Sequence, residues 1–514
     1  MKKQFLVGLI CLGAVLVPAQ ESDLNAVKQQ LKEATEAFQK AMEQQRQVIE
    51  SLTKKVNQLE AQQSGVTNQQ AELRRLVQAT TNAAPVDTGS IAKRGWSPAD
   101  PIRLFGSGQN YLNLSFDALF AAGSSTAEDV GRLQTGGHDP NQRGFTIQNL
   151  ETVFEGKVDP YFRGQANIVM SLDADGETII EAEEAFLETM SLPWNLQVKA
   201  GLYLTEFGRL NATHPHTWGF VDQPLVNGRF LGGDGLRNPG ARVSWLAPTP
   251  FYSEFFLSMQ NSGGETASSF RSSGGHAHGD EDEDALPFAL RHADNDRGVH
   301  SLDDFLFAPR YAASFDLTPA QTLVAGASAA FGPNSSGESG DNKTQIYGLD
   351  LTWKWKPVSH SGGFPFVQWQ TEAMVQRYEA GGFDWAEDGG DLVDLRTGDA
   401  AVLEEETLTD YGVYSQVQYG FRKGWVAGLR ADYVWGQRAD YEKYQKSYQD
   451  GEAFSLDPTR EERFRLSPNI TWFPTEFSKI RLQYNYDHGR IYGEDHSVWL
   501  QWEILLGAHA AHKF

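Results

Sequence analysis

The spacing of apolar residues changes along the chain from a period of seven to a period of two. Between residues 20 and 79, the apolar positions of the heptads are Leu24, Leu31, Phe38, Met42, Ile49, Leu52, Val56 and Leu59, and Gln45 interrupts them. These spacings of three and four, with Glu, Gln and Lys between them, predict a coiled coil of about six heptads. A lone amphipathic helix packed on a domain is the alternative, because Lys28 and Thr35 weaken the first heptads.

From Ile102 onward, apolar and polar residues alternate. In the segment YGLDLTWKWKP, the apolar set is Tyr347, Leu349, Leu351, Trp353 and Trp355, and Asp350, Lys354 and Lys356 are among the residues between them. The same period recurs in residues 425–435, 463–472 and 480–487, with aromatic residues near the strand ends. The pattern predicts strands with one apolar and one polar face. A soluble sandwich would bury the apolar face, whereas a barrel in lipid would turn it outward.

The order of turns and loops distinguishes these architectures. Short turns with Pro or Gly lie at residues 159–160, 192–195, 248–250, 318–319, 357–363, 423–424 and 474–476. Between them lie eight longer polar segments, at residues 122–143, 171–178, 208–239, 261–303, 332–343, 379–408, 436–462 and 488–496. This alternation predicts an all-β domain over residues 102–514, a 16-stranded antiparallel transmembrane β-barrel with both ends on the short-turn, periplasmic side.

Both termini support export to the outer membrane of a Gram-negative-type bacterium. Residues 1–19 combine a basic pair with an apolar run and predict a signal peptide. Ile10 stands where a lipoprotein would need a small residue before Cys11, so lipidation of Cys11 is not expected. Cys11 is the only cysteine and is removed with the signal peptide, so the mature chain has no thiol chemistry. Residues 80–101, rich in Ala, Thr, Pro and Gly, predict a linker between the periplasmic coiled coil and the barrel. Phe514 follows outward-facing residues at period two, the pattern expected of an assembly signal for the barrel assembly machinery.

Composition narrows the possible functions. The formal net charge is -23 and the mean hydropathy is -0.45, so no basic surface is expected that would bind nucleic acid. The chain contains no G-x-S-x-G, H-E-x-x-H, G-x-x-x-x-G-K-[ST] or helix-opening G-x-G-x-x-G motif. An enzyme is therefore not expected, although barrel hydrolases can lack these motifs. A tether that joins the envelope layers through the coiled coil is a further alternative.

The barrel segment resembles a known family. The runs VDPYFRGQANIVM, EEAFLETMSLP, AGLYLTEFGRLNATHPHTWGFVDQPLV, FLGGDGLRNPGARVSWLAP and LDDFLFAPRYAASFDLTPAQTLVAGASAAFGPN are similar to phosphate-selective porin-like outer-membrane proteins. Within that group, the chain looks like the branch often labelled zinc-regulated TonB-dependent outer membrane receptors. The resemblance covers about residues 144–514. It implies a porin fold in outer-membrane lipid, a homotrimer, and diffusion of small hydrophilic solutes.

The third long segment is the candidate pore constriction, because this loop folds into the lumen of general porins. Its candidate residues are Arg209, His214, His216, Asp222, Arg229, Asp234 and Arg237. Charges of both signs at a constriction would form a selectivity filter. The alternative is that the HPHTW run only packs the loop on the wall. The candidate lumen-facing residues on the strands are Lys354, Glu372, Arg430, Asp432, Arg465 and Arg481.

The fourth long segment contains the run GGHAHGDEDEDAL. Imidazole and carboxylate groups suit zinc, and the candidate ligands are His276, His278, Asp280, Asp282 and His292. A flexible glycine-rich loop without fixed neighbours would bind zinc weakly, so no resident cofactor is expected. The alternatives are an acidic solvated loop and an outer-membrane receptor or uptake protein that captures metal there.

Overall fold

The computed structural model describes residues 100–107, 110–157, 159–172, 176–264, 266–271, 288–291, 298–337, 340–386, 392–394, 397–444, 460, 462–489 and 493–507. The signal peptide, the coiled coil and nearly all of the linker lie outside these residues, as do Phe514 and the candidate zinc ligands His276, His278, Asp280, Asp282 and His292. Among the described residues, no helix is long and apolar enough to cross a membrane.

The described part of the chain is mostly strand. The strands are β1 (Ile102–Ser107), β2 (Asn110–Ser125), β3 (Gly144–Lys157), β4 (Phe162–Leu172), β5 (Thr178–Thr189), β6 (Leu196–Leu204), β7 (Arg237–Leu246), β8 (Tyr252–Asn261), β9 (Phe305–Thr318), β10 (Gln321–Pro333), β11 (Lys343–Trp355), β12 (Phe366–Ala380), β13 (Phe383–Asp384), β14 (Val402–Leu403), β15 (Glu406–Arg422), β16 (Trp425–Gly436), β17 (Arg463–Thr475), β18 (Ser478–Gly489) and β19 (Gly493–Leu506). The α-helices are α1 (Val130–Leu133) and α2 (Leu225–Leu231).

Sixteen of these described strands, β2 to β12 and β15 to β19, form a closed antiparallel barrel. Each pairs with its neighbour in the chain, and β19 returns to β2 with Trp502 opposite Phe120. The short strand β1 pairs with the first residues of β2, so it lies next to the end of β19. Closure removes the free strand edges that would otherwise attract other chains. The structure confirms the predicted 16-stranded barrel, and short turns and longer connections alternate around it.

Alternation along each strand separates an apolar outer face from a polar interior. On β18, Leu482 is 48% exposed whereas Gln483 is fully buried. Leu349 of β11 and Ile504 of β19 are other exposed apolar residues, as a lipid-facing surface requires. Aromatic pairs lie near both strand ends: Trp425 and Trp472 stack beside the short turns, and Tyr411 and Trp435 stack on the opposite side.

A cluster of apolar residues from the long loops covers the long-loop end of β12 and β15. It joins the fourth, sixth and seventh long loops through Leu290, Trp385, Leu403 and Tyr441. The guanidinium of Arg291 donates to the carbonyl oxygens of Gly381, Ala289 and Glu404 and to the Glu406 carboxylate, at 2.6 to 3.0 Å. Burial lowers the pKa of Arg291 although Glu406 opposes this effect. Arg291 therefore links several segments of this external cluster, and a second buried cation, Arg460, donates to Tyr441 Oη at 3.3 Å.

Candidate functional site

The third long loop (residues 205–236, here L3) enters the barrel directly after β6. Gly208 adopts a left-handed conformation with φ of 59°, and a Cβ at this position would lie 1.9 Å from Glu372 Oε2. This close approach lets the backbone N–H groups of Arg209 and Leu210 donate to the Glu372 carboxylate, at 2.9 and 3.0 Å. The N–H of Gly208 donates to Ser328 Oγ at 3.0 Å. Glu372 of β12 and Ser328 of β10 thus turn the chain into the lumen.

The helix α2 of L3 packs against the inner wall. Leu225, Val226, Phe230 and Leu231 are buried in one apolar cluster with wall residues that include Met374, Tyr414 and Val434. Gly412 of β15 makes room for this contact, since a Cβ there would lie 2.3 Å from Val226 Cγ2. An apolar helix face inside a polar barrel interior has no other surface to cover it, so the cluster holds L3 in place.

Asp222 of L3 is the centre of a buried network. Its Oδ1 accepts from Arg430 and Gln483, both at 2.8 Å, and its Oδ2 accepts from Arg465 at 3.1 Å and Asn485 at 2.6 Å. These donors lie on β16, β17 and β18, across the lumen from the strands that carry L3. Burial alone would raise the pKa of Asp222, but the charges of Arg430 and Arg465 lower it below its usual value.

Wall cations also satisfy the backbone carbonyls of L3. Arg481 donates to the carbonyls of Phe220 and Trp218 at 2.9 and 2.8 Å, and Lys479 donates to that of His216 at 2.5 Å. Side chains of β18 thereby replace the water that would solvate an irregular segment. L3 is held by charge-assisted hydrogen bonds as well as by apolar contact.

The first long loop (residues 126–143, here L1) contacts L3. Asp139 Oδ1 accepts from the N–H of Gln223 at 2.7 Å, and its Oδ2 accepts from the N–H of Gly136 at 2.9 Å. Burial, reinforced by the negative charge of Asp222, raises the pKa of Asp139 to about 7 despite these donors. The Leu133 carbonyl at the end of α1 accepts from Arg465 at 3.0 Å. L1 therefore rests on the same network.

Three histidines lie among carboxylates of the wall beside L3. His214 has both ring nitrogens on carboxylates, with Nδ1 2.7 Å from Glu183 and Nε2 3.1 Å from Glu184. Burial would lower the pKa of His214, but the charges of Glu183 and Glu151 raise it well above its usual value. His138 of L1 is fixed by the Gln148 carbonyl, 3.0 Å from its Nδ1.

His216 lies over two further carboxylates. Its Nδ1 is 3.2 Å from Glu151 Oε2 and 3.9 Å from Asp117 Oδ2. Asp117 and Glu151 are fully buried, and they stand directly opposite each other on β2 and β3.

A cavity of about 10 Å³ between L3, L1 and β5 is lined by residues that include His138, Glu183, Trp218 and Asp234, and this volume suits about one water molecule. Interior-facing side chains nearer the short turns, such as Arg163 and Glu155, keep about a third of their surface exposed. These side chains are therefore more exposed than the wall residues that L3 contacts.

The residues expected at the constriction have different surroundings. Arg209 is exposed, Arg229 and Asp234 are half-buried, and His214, His216 and Asp222 contact the wall as described above. Arg237 differs from the expectation, because it is the first residue of β7 rather than part of L3, and it pairs with Glu181 at 2.9 Å. The preceding Leu236 is already paired by its carbonyl with Thr205 at 2.9 Å, which closes the loop before Arg237.

The strand residues expected in the lumen all follow the inward alternation. Glu372, Arg430, Asp432, Arg465 and Arg481 are almost fully buried, whereas Lys354 is half-buried. Sequence reasoning did not single out the carboxylates Asp117, Glu151, Glu183 and Glu184. The same period of two would have found Asp117, Glu151 and one of the two consecutive glutamates of β5. Both Glu183 and Glu184 are buried because the register between β5 and β4 shifts beside them, which the period does not predict.

The comparisons with known proteins give one relative. No family model matches the chain. An uncharacterized protein of Aquifex aeolicus (strain VF5) is 30% identical over 396 residues, which cover 74% of this chain and 73% of that protein. The chain belongs to the family of this Aquifex protein.

Several solved barrels are structurally similar. The outer membrane channel DcaP of Acinetobacter baumannii matches with a TM-score of 0.46 and 13% identity, over 78% of this chain and 99% of that one. An anion-selective porin from Comamonas acidovorans matches with a TM-score of 0.42 and 7% identity, over 77% of this chain and 100% of that one.

Proposed function

We propose that the protein is an outer-membrane channel for small hydrophilic solutes and ions, and that L3 restricts its lumen. The single observation that carries this proposal is the closed barrel with an apolar outer face and a charged interior. Only a closed barrel satisfies the backbone hydrogen bonds of strands in lipid. Water and solutes are the natural contents of a polar interior, because polar groups without partners or water are costly to bury.

The contacts of L3 support its role as the restricting element. It reaches β10 and β12 through Ser328 and Glu372, and β16 to β18 through the network around Asp222. A loop fixed at both sides of the lumen narrows it, and the charged groups that remain exposed there act on passing ions at short range. Such a channel would favour ions according to the sign of those charges.

The finer parts of this proposal come from the sequence. The protein would carry its coiled coil in the periplasm after removal of residues 1–19, and the family resemblance implies a homotrimer. A receptor role for zinc remains a prediction of that resemblance, whereas phosphate selectivity does not follow from strands on which arginines alternate with acids.

Planar bilayer recordings of the purified full chain test the proposal. We expect stepwise conductance that grows with salt concentration, because ions carry the current through a water-filled lumen. The control is the same preparation after heat unfolding of the barrel. Turnover of lipid or peptide substrates with no conductance by folded protein would contradict the channel and favour a barrel hydrolase.

A further inference from the structure

We propose that Asp117, Glu151 and His216 bind one divalent transition-metal ion, of the kind that Zn²⁺ represents, inside the barrel. The three donor groups come from β2, β3 and L3. This inference does not depend on whether the barrel conducts.

The two carboxylates create the need for a cation. Asp117 and Glu151 are directly paired across β2 and β3, and both are fully buried. Like charges at directly opposite positions of neighbouring strands destabilise a sheet, and burial makes their repulsion stronger. Neither oxygen of Asp117 accepts a hydrogen bond of ordinary geometry, although the Asn149 side chain lies near it. A buried carboxylate without donors is costly unless a positive charge lies beside it.

Lys479, a wall cation that acts on Asp117, is already engaged. Lys479 forms an ion pair with Glu503, its partner across β18 and β19, and donates to the His216 carbonyl. Its charge is therefore shared with a third carboxylate. His214, 3.6 Å from Glu151, is itself shared with Glu183 and Glu184, so the acids of this group still outnumber its cations. A divalent ion between Asp117 and Glu151 would balance this excess.

The donor atoms have distances that suit a metal ion. His216 Nδ1 is 3.2 Å from Glu151 Oε2 and 3.9 Å from Asp117 Oδ2, and the three ligand atoms all lie within 4.8 Å of one another. Tetrahedral zinc with bonds of about 2.0 to 2.2 Å places its ligand atoms roughly 3.3 to 3.6 Å apart. One nitrogen and two carboxylate oxygens would leave one position for water, as in other three-ligand zinc sites.

The surroundings hold the ligands in position. Asn167 donates to Glu151 Oε1 at 2.6 Å, which orients the other oxygen toward His216. The His216 backbone is fixed by Lys479. Such supporting contacts are typical of metal sites.

The neighbouring histidine is a useful contrast. Both ring nitrogens of His214 already face carboxylates at hydrogen-bond distance, Glu183 and Glu184. A protonated imidazole satisfies that arrangement by itself, so no metal ion is required there. The two histidines of the HPH run thus differ in role.

Metal binding would link L3 to the wall. A metal ion at this site bonds His216 of L3 to two wall strands, and it binds the folded arrangement only. The ion would therefore stabilise L3 against β2 and β3.

Cobalt titration of the full chain tests the site. The chain would be refolded in chelator, freed of it, and titrated with Co²⁺ in a His276→Ala, His278→Ala, His292→Ala background, which removes the histidines of the fourth loop as ligands. We expect one retained equivalent with the visible absorption of a four-coordinate site, and competition by Zn²⁺. Asp117→Asn and His216→Gln should each weaken binding by more than about a hundredfold, since each removes a direct ligand.

The control variant is Glu155→Gln, an interior carboxylate of the same strand β3 that pairs with Arg163. This variant should still retain one equivalent of Co²⁺. His216→Gln changes only the loop, so it remains informative if Asp117→Asn does not fold. Absence of a retained equivalent in the heat-modifiable parent barrel would overturn the proposal, as would equal retention by His216→Gln.

Discussion

Asp222 and Arg465 form an ion pair inside the barrel, with 3.1 Å between Oδ2 and Nη1, although 243 residues separate them in the chain. Arg430 approaches the other oxygen of the same carboxylate at 2.8 Å. All three side chains are almost fully buried. The two arginines, which also pair with Asp432 and Asp487, share this loop carboxylate, and the position of L3 depends on them.

Replacing Asp222 should release L3 from the wall. Asp222→Ala removes the carboxylate that Arg430 and Arg465 share, although each arginine keeps a second one, Asp432 or Asp487. Each lost hydrogen bond to a charged group costs the docked loop about 1.5 to 3 kcal/mol. We expect faster proteolysis within L3 and noisier single-channel currents, while the barrel stays heat-modifiable. The matched control is Asp303→Asn, an exposed loop aspartate. Identical proteolysis of L3 in both variants would contradict the role of Asp222.

Arg209 should bias the channel toward anions. It is the exposed arginine at the entry of L3, whereas Arg430 and Arg465 are neutralised by buried carboxylates. Arg209→Ala should shift the reversal potential in a salt gradient toward cations, and the further change Arg229→Ala should extend that shift. Arg377→Ala, on an exposed outward position of β12, serves as the control. An unchanged reversal potential in the double variant would place these charges away from the ion path.

The contact between L1 and L3 should weaken as pH rises toward neutrality. Asp139 has a pKa of about 7 when docked and about 4 when exposed, so the docked state holds the extra proton between these values. Stability of the docked state is then present at low pH and is lost as pH rises from about 4 to 7, with little further change above. Hydrogen exchange at Gln223, corrected for intrinsic rates, measures it. Asp139→Asn should abolish the change of exchange protection with pH. If the variant shows the same change with pH as the parent, Asp139 is not its source.

Removing Arg291 should loosen the external cluster without affecting the barrel. Arg291→Ala leaves the carbonyls of Gly381, Ala289 and Glu404 without this donor, and each unmade buried hydrogen bond costs about 1 to 3 kcal/mol. We expect faster cleavage of the fourth and sixth loops by protease at unchanged barrel melting. Arg438→Ala, an exposed position in the seventh loop, is the control. Equal cleavage rates would show that the cluster holds without Arg291.

The barrel was predictable because its determinants are local. Alternation in segments such as residues 347–355 predicts that the segment is a strand and which of its side chains face inward. Pro or Gly marks each short turn. Strand number then follows from counting, since antiparallel neighbours need only short connections. The lumen-facing positions Glu372 and Arg465 follow from the same alternation.

The contacts of L3 were not predictable in this way. Asp222 meets donors that lie 208 and 243 residues away, and no local pattern relates them. In the sequence, Pro239 marks the end of the third long loop, which places Arg237 in that loop. Strand β7 instead begins at Arg237, two residues earlier. Likewise, Asp117 and Glu151 become a pair only through strand register.

The measurement that tests the channel with a restricting loop most directly is the single-channel conductance of the full chain beside a variant in which residues 210–234 are replaced by a short Gly-Ser linker. Both proteins would first be checked for a heat-modifiable barrel. We predict small, resolvable steps in the parent and steps several times larger in the variant, because the loop that crosses the lumen is gone. Equal conductance in the two folded proteins, or none in either, would contradict the account.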